Sequence, residues 1–255
     1  MTIDFYEGEF HIILGHNGAG KSTLLKMIVG MYKPSQGNIY ILGKDYNRQK
    51  DSQKNLIGYC PQDNILVNDL TAIEHVYLFG MLKGMSYKDA LEKAEVMLMQ
   101  LGLSTDRNKK VKNFSLGMKR RVSLSMALIG NAKILVLDEP GYGVDPQNRR
   151  KIWDTLLALR EQRTIIMTTN SMEAADILPD RIAIIANGKV ECYGTKMYLN
   201  RRFGVAYLLS IVIEEDCNLN FLTSVVQNFC SDQIKLRTRL GHVIKYDLPR
   251  RTAFA

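Results

Sequence analysis

Eight residues near the start of the chain have the types and spacing of a phosphate cradle. Gly15-His16-Asn17-Gly18-Ala19-Gly20-Lys21-Ser22 fits Gly-x-x-x-x-Gly-Lys-[Ser/Thr]. Glycines let a backbone turn tightly and bring its N–H groups close to a polyphosphate. Lys21 offers a mobile cation to the outer phosphates, and the Ser22 hydroxyl is a Mg²⁺ ligand. A helix opening at Lys21, with Ser22 and Thr23 in its first turn, aims its positive dipole end at the anion. A chance glycine-rich turn would lack the flanks seen here. Phe10-His11-Ile12-Ile13-Leu14 reads as a buried strand, and Ser22 to Val29 as an apolar helix. A second constellation lies far downstream. Ile134-Leu135-Val136-Leu137-Asp138-Glu139-Pro140 is an apolar strand ending in two carboxylates. A solvated acidic turn would look the same in isolation. Beside a phosphate loop, the strand end brings Asp138 to Mg²⁺ and Glu139 to an attacking water.

The elements that must hold these residues follow from periodicity. Strands are expected at Thr2–Tyr6, Glu9–Leu14, Asn38–Gly43, Leu56–Cys60, Lys133–Leu137, Thr164–Thr169 and Arg181–Ile185. Thr71 with Glu74, and Ser86 with Asp89, are capping pairs that open helices. Leu91, Ala94, Leu98 and Leu101 recur at helical spacing, as do Ile152, Trp153, Leu156 and Leu159. The alternation implies an α/β domain with a largely parallel sheet covered by helices. Residues 68–130 form a helical insert within a domain of residues 1–200, and 201–255 a small C-terminal appendage.

Bulk properties narrow the partners. With 255 residues, 46% apolar and 24% charged, the chain is an ordinary globular sequence. Its net charge of +8 comes from scattered pairs and triplets, among them Lys119-Arg120-Arg121, Arg149-Arg150-Lys151 and Arg250-Arg251. None is long enough for a nucleic-acid arm, so these read as solvated faces plus a polyphosphate ligand. Cys60, Cys192, Cys217 and Cys230 lack metal spacing and read as free thiols. The nine-residue run Val205–Ile213 is too short to span a bilayer, which needs about 20 residues. The expectation is a soluble chain.

These motifs, in this order, resemble the nucleotide-binding domain of an ATP-binding-cassette transporter, a P-loop NTPase, over most of residues 5–200. The resemblance implies ATP and Mg²⁺ as ligands. It makes Gln62, after Tyr59-Cys60-Pro61, a glutamine loop that senses the metal and couples to membrane domains. Phe114-Ser115-Leu116-Gly117-Met118 resembles the signature motif, whose Ser115 and Gly117 serve the nucleotide of a second cassette. Gly143-Val144-Asp145-Pro146 resembles the loop that touches that partner. The phosphate loop, Met118-Lys119-Arg120-Arg121, and Arg202-Phe203-Gly204 with Tyr207-Leu208-Leu209 point to the A subfamily, mostly lipid exporters. The implied partners are a second cassette and transmembrane domains, at the cytoplasmic face of a membrane, with no nucleic acid.

Four departures bear on turnover. Leu116 replaces the first signature glycine, Asn170 occupies the switch-histidine position, and Gly141-Tyr142 follows Pro140 where Ser or Thr is usual. The strand carrying the adenine-stacking aromatic is missing; Tyr6 is its weak substitute, and reads as packing in a core strand. They set a motor domain against a binding module that holds ATP and hydrolyses little. A GTPase is disfavoured, because Asn108-Lys109-Lys110-Val111 lacks the final aspartate of Asn-Lys-x-Asp.

Overall fold

The computed structural model describes residues 1–46, 54–203, 207–214, 218–230, 235–240 and 243–248. Gly204, Cys217 and Arg250-Arg251, singled out above, lie outside these. The chain divides into two compact units, Met1–Lys196 and Met197–Ala255.

The first unit is built on a six-stranded sheet. Its strands are β1 (Phe10–Leu14), β4 (Ile57–Cys60), β5 (Ile134–Asp138), β6 (Thr164–Thr169), β7 (Arg181–Ala186) and β8 (Lys189–Thr195), in the order β4-β5-β6-β1-β7-β8. All pairings are parallel except β7 with β8. Apolar runs such as Ile134-Leu135-Val136-Leu137 suit strands covered on both faces. Phe10, Ile12, Ile13, Leu135, Val136 and Leu137 have no exposed surface. One face packs helix α1 (Lys21–Ile28), through Leu24, Leu25 and Ile28, on Ile13, Val136, Ile166 and Ala183.

Three helices lie between β4 and β5: α2 (Ala72–Leu82), α3 (Tyr87–Gln100) and α4 (Leu116–Leu128). Thr71 closes a capping box, its amide donating to Glu74 Oε2 at 2.7 Å and its hydroxyl accepting from Glu74 N at 3.3 Å. Ser86 accepts from Asp89 N at 3.2 Å. Ile73, Val76, Leu98, Val122 and Met126 form a shared core of the three. Helix α4 also reaches the sheet. A Cβ on Gly58 would stand 2.4 Å from the Ala127 carbonyl oxygen, so only glycine lets α4 approach β4 this closely. Two cations cap the far end of α4. Lys83 Nζ donates to the Met126, Ala127 and Ile129 carbonyls at 2.8–3.1 Å. Arg163 donates to those of Leu128 and Gly130, each at 2.8 Å. After β5, the chain forms α5 (Pro146–Leu159), capped by Asp145, and between β6 and β7 it forms α6 (Met172–Ile177).

Three expectations are corrected. Thr2–Tyr6 is not a strand. Side chains bind its backbone instead: Tyr6 N donates to His11 Nε2 at 3.0 Å, and Tyr193 Oη donates to Asp4 O at 2.5 Å. Tyr6 is therefore not in a core strand; its ring, 45% exposed, lies 4.3 Å from the Arg181 guanidinium. That is beside the start of β1, whereas the phosphate loop follows its end. Asn38–Gly43 shrinks to a hairpin of β2 (Tyr40–Ile41) and β3 (Lys44–Asp45), because Leu42 and Gly43 both take positive φ and turn the chain. Strand β8 was not expected. Asn187-Gly188, with φ of 48° and 74°, is the tight turn that pairs it with β7.

The second unit holds α7 (Lys196–Phe203), which begins at the boundary, β9 (Tyr207–Val212), α8 (Leu219–Cys230), β10 (Lys235–Leu240) and β11 (Val243–Leu248). Its antiparallel sheet runs β10-β11-β9. Leu219, Leu222 and Val226 of α8 pack on Ile211, Ile244 and Tyr246. Among the described residues no helix is long and apolar enough to cross a membrane.

Burial lowers the Lys83 ammonium from its ordinary 10.5 to about 8. Between these values the unfolded chain binds a proton that the folded chain lacks, so stability rises with pH. The unfolding free energy should climb between pH 8 and 9, by no more than about 1.4 kcal/mol per pH unit, and level off above 9, where burial keeps the Cys60 thiol protonated in the folded chain. It should turn down above pH 10, because burial raises Tyr59 and Tyr193 to about 12. Lys83→Met should flatten the climb; a parent unfolding free energy, read from urea curves, that stays level from pH 8 to 9 would contradict the assignment.

Candidate functional site

Strand β1 ends at Leu14, and the loop of residues 15–20 carries the chain into α1. Gly15 is seated on β7: a Cβ there would lie 2.4 Å from the Ile185 carbonyl oxygen. Gly18 and Gly20 have φ of 81° and 101°, the left-handed region that a side chain disfavours. His16, Asn17 and Thr23 are exposed, Ser22 is half-buried and Ala19 is buried. Ala19 O accepts from Gly188 N at 3.0 Å. The first helical N–H groups, those of Lys21, Ser22 and Thr23, have no intrahelical acceptor and point out of the helix start. Lys21 is 6% exposed. Its Nζ donates to Gly15 O at 2.7 Å and His16 O at 3.2 Å, and stands 3.8 Å from Glu139 Oε1. The phosphate loop and the second carboxylate therefore meet at the ammonium.

Asp138 closes β5 and is 1% exposed. Thr168 Oγ1, on the adjacent strand, donates to Asp138 Oδ1 at 2.5 Å. Asp138 Oδ2 is buried and has no hydrogen-bond partner among the described residues. Glu139 sits at φ 48°, and its amide donates to Thr168 Oγ1 at 3.0 Å and Thr168 O at 3.2 Å. One threonine thus holds the Asp138 carboxylate and the Glu139 backbone at the strand end. Glu139 and Asn170 line the same cavity of about 180 Å³, with Tyr142, Arg149, Trp153 and Thr169 around it.

A lone buried carboxylate oxygen is the kind of group a hydrated Mg²⁺ satisfies, because that ion takes one or two carboxylates and completes its shell with water and phosphate. The residues fit it: Asp138 Oδ2 with the Ser22 hydroxyl, and Gln62 on the exposed bend after β4. Among the described residues there is no cluster of three His, Cys, Asp or Glu side chains of the kind that holds a metal unaided.

Ser115 and Gly117 are not drawn into this group. Ser115 caps α4, its Oγ accepting from Met118 N at 3.2 Å. Among the described residues neither makes a hydrogen bond or ion pair to the phosphate loop, Gln62, Asp138 or Glu139. Leu116, 54% exposed, leans on the loop after Pro140, so that a Cβ on Gly143 would be 2.8 Å from Leu116 Cδ2.

The basic triplet Lys119-Arg120-Arg121 is corrected. It is not a solvated face: Arg120 is 1% exposed and Arg121 6%. Arg121 donates to the carbonyls of Leu101 and Gly102 at 2.8 and 2.9 Å. Arg120 donates to Pro61 O at 2.5 Å, Gln62 O at 3.0 Å, Asn64 Oδ1 at 3.3 Å and the Asp138 carbonyl. Thr168 is likewise absent from any sequence motif. The available signal for the arginines was their place in a helix continuing as Val122-Ser123-Leu124-Ser125-Met126-Ala127-Leu128, without a further charge.

Thr168→Val keeps the volume and removes the hydroxyl. It leaves Asp138 with neither oxygen bonded, which should cost about 1.5–3 kcal/mol, the range for hydrogen bonds to charged groups. Chemical denaturation reads this directly; a loss below about 0.5 kcal/mol, the bottom of the range for neutral bonds, would show that the bond is not formed.

The sequence model of the family described as ABC transporter matches residues 1–141. ATP-binding cassette sub-family A member 17 of Rattus norvegicus is 38% identical over 251 residues, covering 98% of this chain and 14% of the relative. Phospholipid-transporting ATPase ABCA3 of Homo sapiens is 38% identical over 250 residues, 98% of this chain and 15% of the relative. Retinal-specific phospholipid-transporting ATPase ABCA4 of Mus musculus is 45% identical over 212 residues, 83% and 9%. The chain therefore spans about a seventh or less of these relatives. A solved dimeric ATP-binding cassette in a post-hydrolysis state, bound to ADP and Pi, superposes with a TM-score of 0.71 at 30% identity, covering 76% of this chain and 88% of that one. With the phosphate loop, the paired carboxylates and the parallel sheet that joins them, these matches establish that the chain belongs to the ABC transporter family, as an ATPase cassette resembling the A subfamily.

Proposed function

We propose that this chain is the ATP-hydrolysing motor of a transporter for lipid-like molecules, with slow turnover at its own site. The observation that carries the reading is the meeting of Lys21, Asp138 and Glu139 at the strand ends, with Asn170 on the cavity beside Glu139. In this reading residues 1–200 are the cassette, with its helical part at about 68–130, and 201–255 an extension. The amides of residues 15–23 wrap the β- and γ-phosphates, and Lys21 leaves its carbonyl partners for the phosphate oxygens. Ser22, Gln62 and Asp138 hold Mg²⁺, which supplies neutralisation of the phosphate charge. Glu139 orients the attacking water, and Asn170 donates a hydrogen bond to the γ-phosphate. Ser115 and Gly117 serve the nucleotide of a second cassette, and attached transmembrane domains carry the substrate at the cytoplasmic face of a membrane. The names of the relatives support a phospholipid-like cargo. No nucleic acid is involved; the buried arginines support this by removing charge from the surface.

Phosphoryl transfer depends on positioning and charge stabilisation. Asparagine keeps a donor but is shorter than histidine and cannot titrate. Loss of a transition-state donor costs about 2.7–4 kcal/mol, and a partial substitute roughly 1–3 kcal/mol on the same scale. Asn170 and Leu116 favour a second reading, a cassette that binds ATP and regulates a partner. Both readings predict Mg²⁺-assisted ATP binding, weakened by roughly 1.5–3 kcal/mol in Lys21→Ala; equal titration curves for parent and variant would refute them together. Steady-state phosphate release separates the two. The motor reading expects slow release that Glu139→Gln abolishes and Asn170→His raises. If Glu139→Gln changes nothing, the regulatory reading holds.

A further inference from the structure

Arg120 joins three segments that the nucleotide chemistry uses separately. It lies on α4, five residues after Ser115, or about 7.5 Å along the helix axis. Its guanidinium reaches two carbonyls of the glutamine loop, the Asn64 side-chain oxygen and the last carbonyl of β5. Every acceptor is neutral, so the side chain is not there to pair with an opposite charge. What it brings is a planar fork whose two terminal nitrogens stand apart in fixed geometry, one on the glutamine loop and one on the end of β5, whereas an ammonium offers its donors from a single point. Complete burial leaves it little room to swing away.

We propose that Arg120 is a positioning residue that ties the helix bearing Ser115 to Gln62 and Asp138, making the metal side of this chain's own site and its signature end one mechanical unit. This rests on the reading of Gln62 and Asp138 as Mg²⁺ ligands. A shift of α4 drags the carbonyls of Pro61, Gln62 and Asp138, and so moves the metal ligands. Settling of the metal and phosphates against Gln62 and Asp138 in turn fixes the first turn of α4, where Ser115 faces a second nucleotide.

The test uses the full chain, ATP, and Mn²⁺ as a visible substitute for Mg²⁺. Arg120→Lys keeps the charge and loses the fork. It should weaken Mn²⁺ binding to the ATP-loaded chain about tenfold, while metal-free ATP affinity changes less than twofold, because Arg120 does not touch the phosphate loop. Gln62→Ala added to Arg120→Lys should cost less than twofold more. Parallel losses with and without metal, no loss, or full additivity with Gln62→Ala would each overturn the proposal. Amide exchange on the parent gives a readout that needs no variant. Mn²⁺ with ATP should slow exchange at Leu116–Met118 in the monomer beyond ATP alone, and unchanged exchange there would overturn the proposal even if Arg120→Lys does not fold. A parent that binds no ATP sinks the functional reading as well; a parent that binds ATP and metal but fails these comparisons sinks only the role of Arg120.

Discussion

Asp138 is a carboxylate with almost no contact with water, and only one of its oxygens is bonded. Burying such a group is costly unless the surroundings compensate it. The compensation determines much of the cassette. Thr168 must present its hydroxyl from the neighbouring strand, which demands the parallel β5-β6 register in which Asp138 lies level with Thr168. The same hydroxyl accepts the Glu139 amide and so supports a residue at positive φ, a conformation that costs roughly 1–2 kcal/mol for a residue with a side chain. The unmet oxygen is left for the ligand side.

What was legible in the sequence was local. The phosphate loop is eight consecutive residues, and its glycines and lysine declare their use by spacing. The apolar run into Asp138-Glu139 is equally contiguous, and β1, β4, β5, β6 and β7 were all readable as apolar runs. The capping box at Thr71 and the N-cap at Ser86 were legible for the same reason: each partner is three residues away. Arg120 and Thr168 were not, because their partners lie 18–59 and 29–30 residues away in sequence. A basic triplet written on paper is indistinguishable from a solvated one until the helix carrying it is placed. The failed strand at Thr2–Tyr6 has a similar cause, since its backbone bonds go to the side chains of His11 and Tyr193. Strand β8 has a local signal as well, the Asn187-Gly188 turn, but its own residues alternate too weakly to stand out as an apolar run.

Helix α4 is held at both ends by different chemistry. Its C-terminal carbonyls, which have no partners within the helix, receive five hydrogen bonds from Lys83 and Arg163 together with Ile129 and Gly130 just beyond it. Its start is capped by the modest hydroxyl of Ser115 and stands in solvent. The contrast suits a helix that must stay anchored in the domain while offering its first turn outward. Leu116 softens that picture, since part of its bulk rests on Gly143 of the same chain.

Gly58 sets how closely this helix rests on the sheet. Ala127, the residue it admits, lies seven residues from Arg120, and Ser115 lies five residues on the other side, about 10 Å and 7.5 Å along the axis. Any side chain at position 58 would press on the Ala127 carbonyl and on the anchored end of the helix, and a stiff helix passes that strain along its axis toward Arg120 and Ser115. The mutational footprint of the signature end therefore extends to a glycine on the edge strand of the sheet, whose replacement would mimic damage to a loop it never touches.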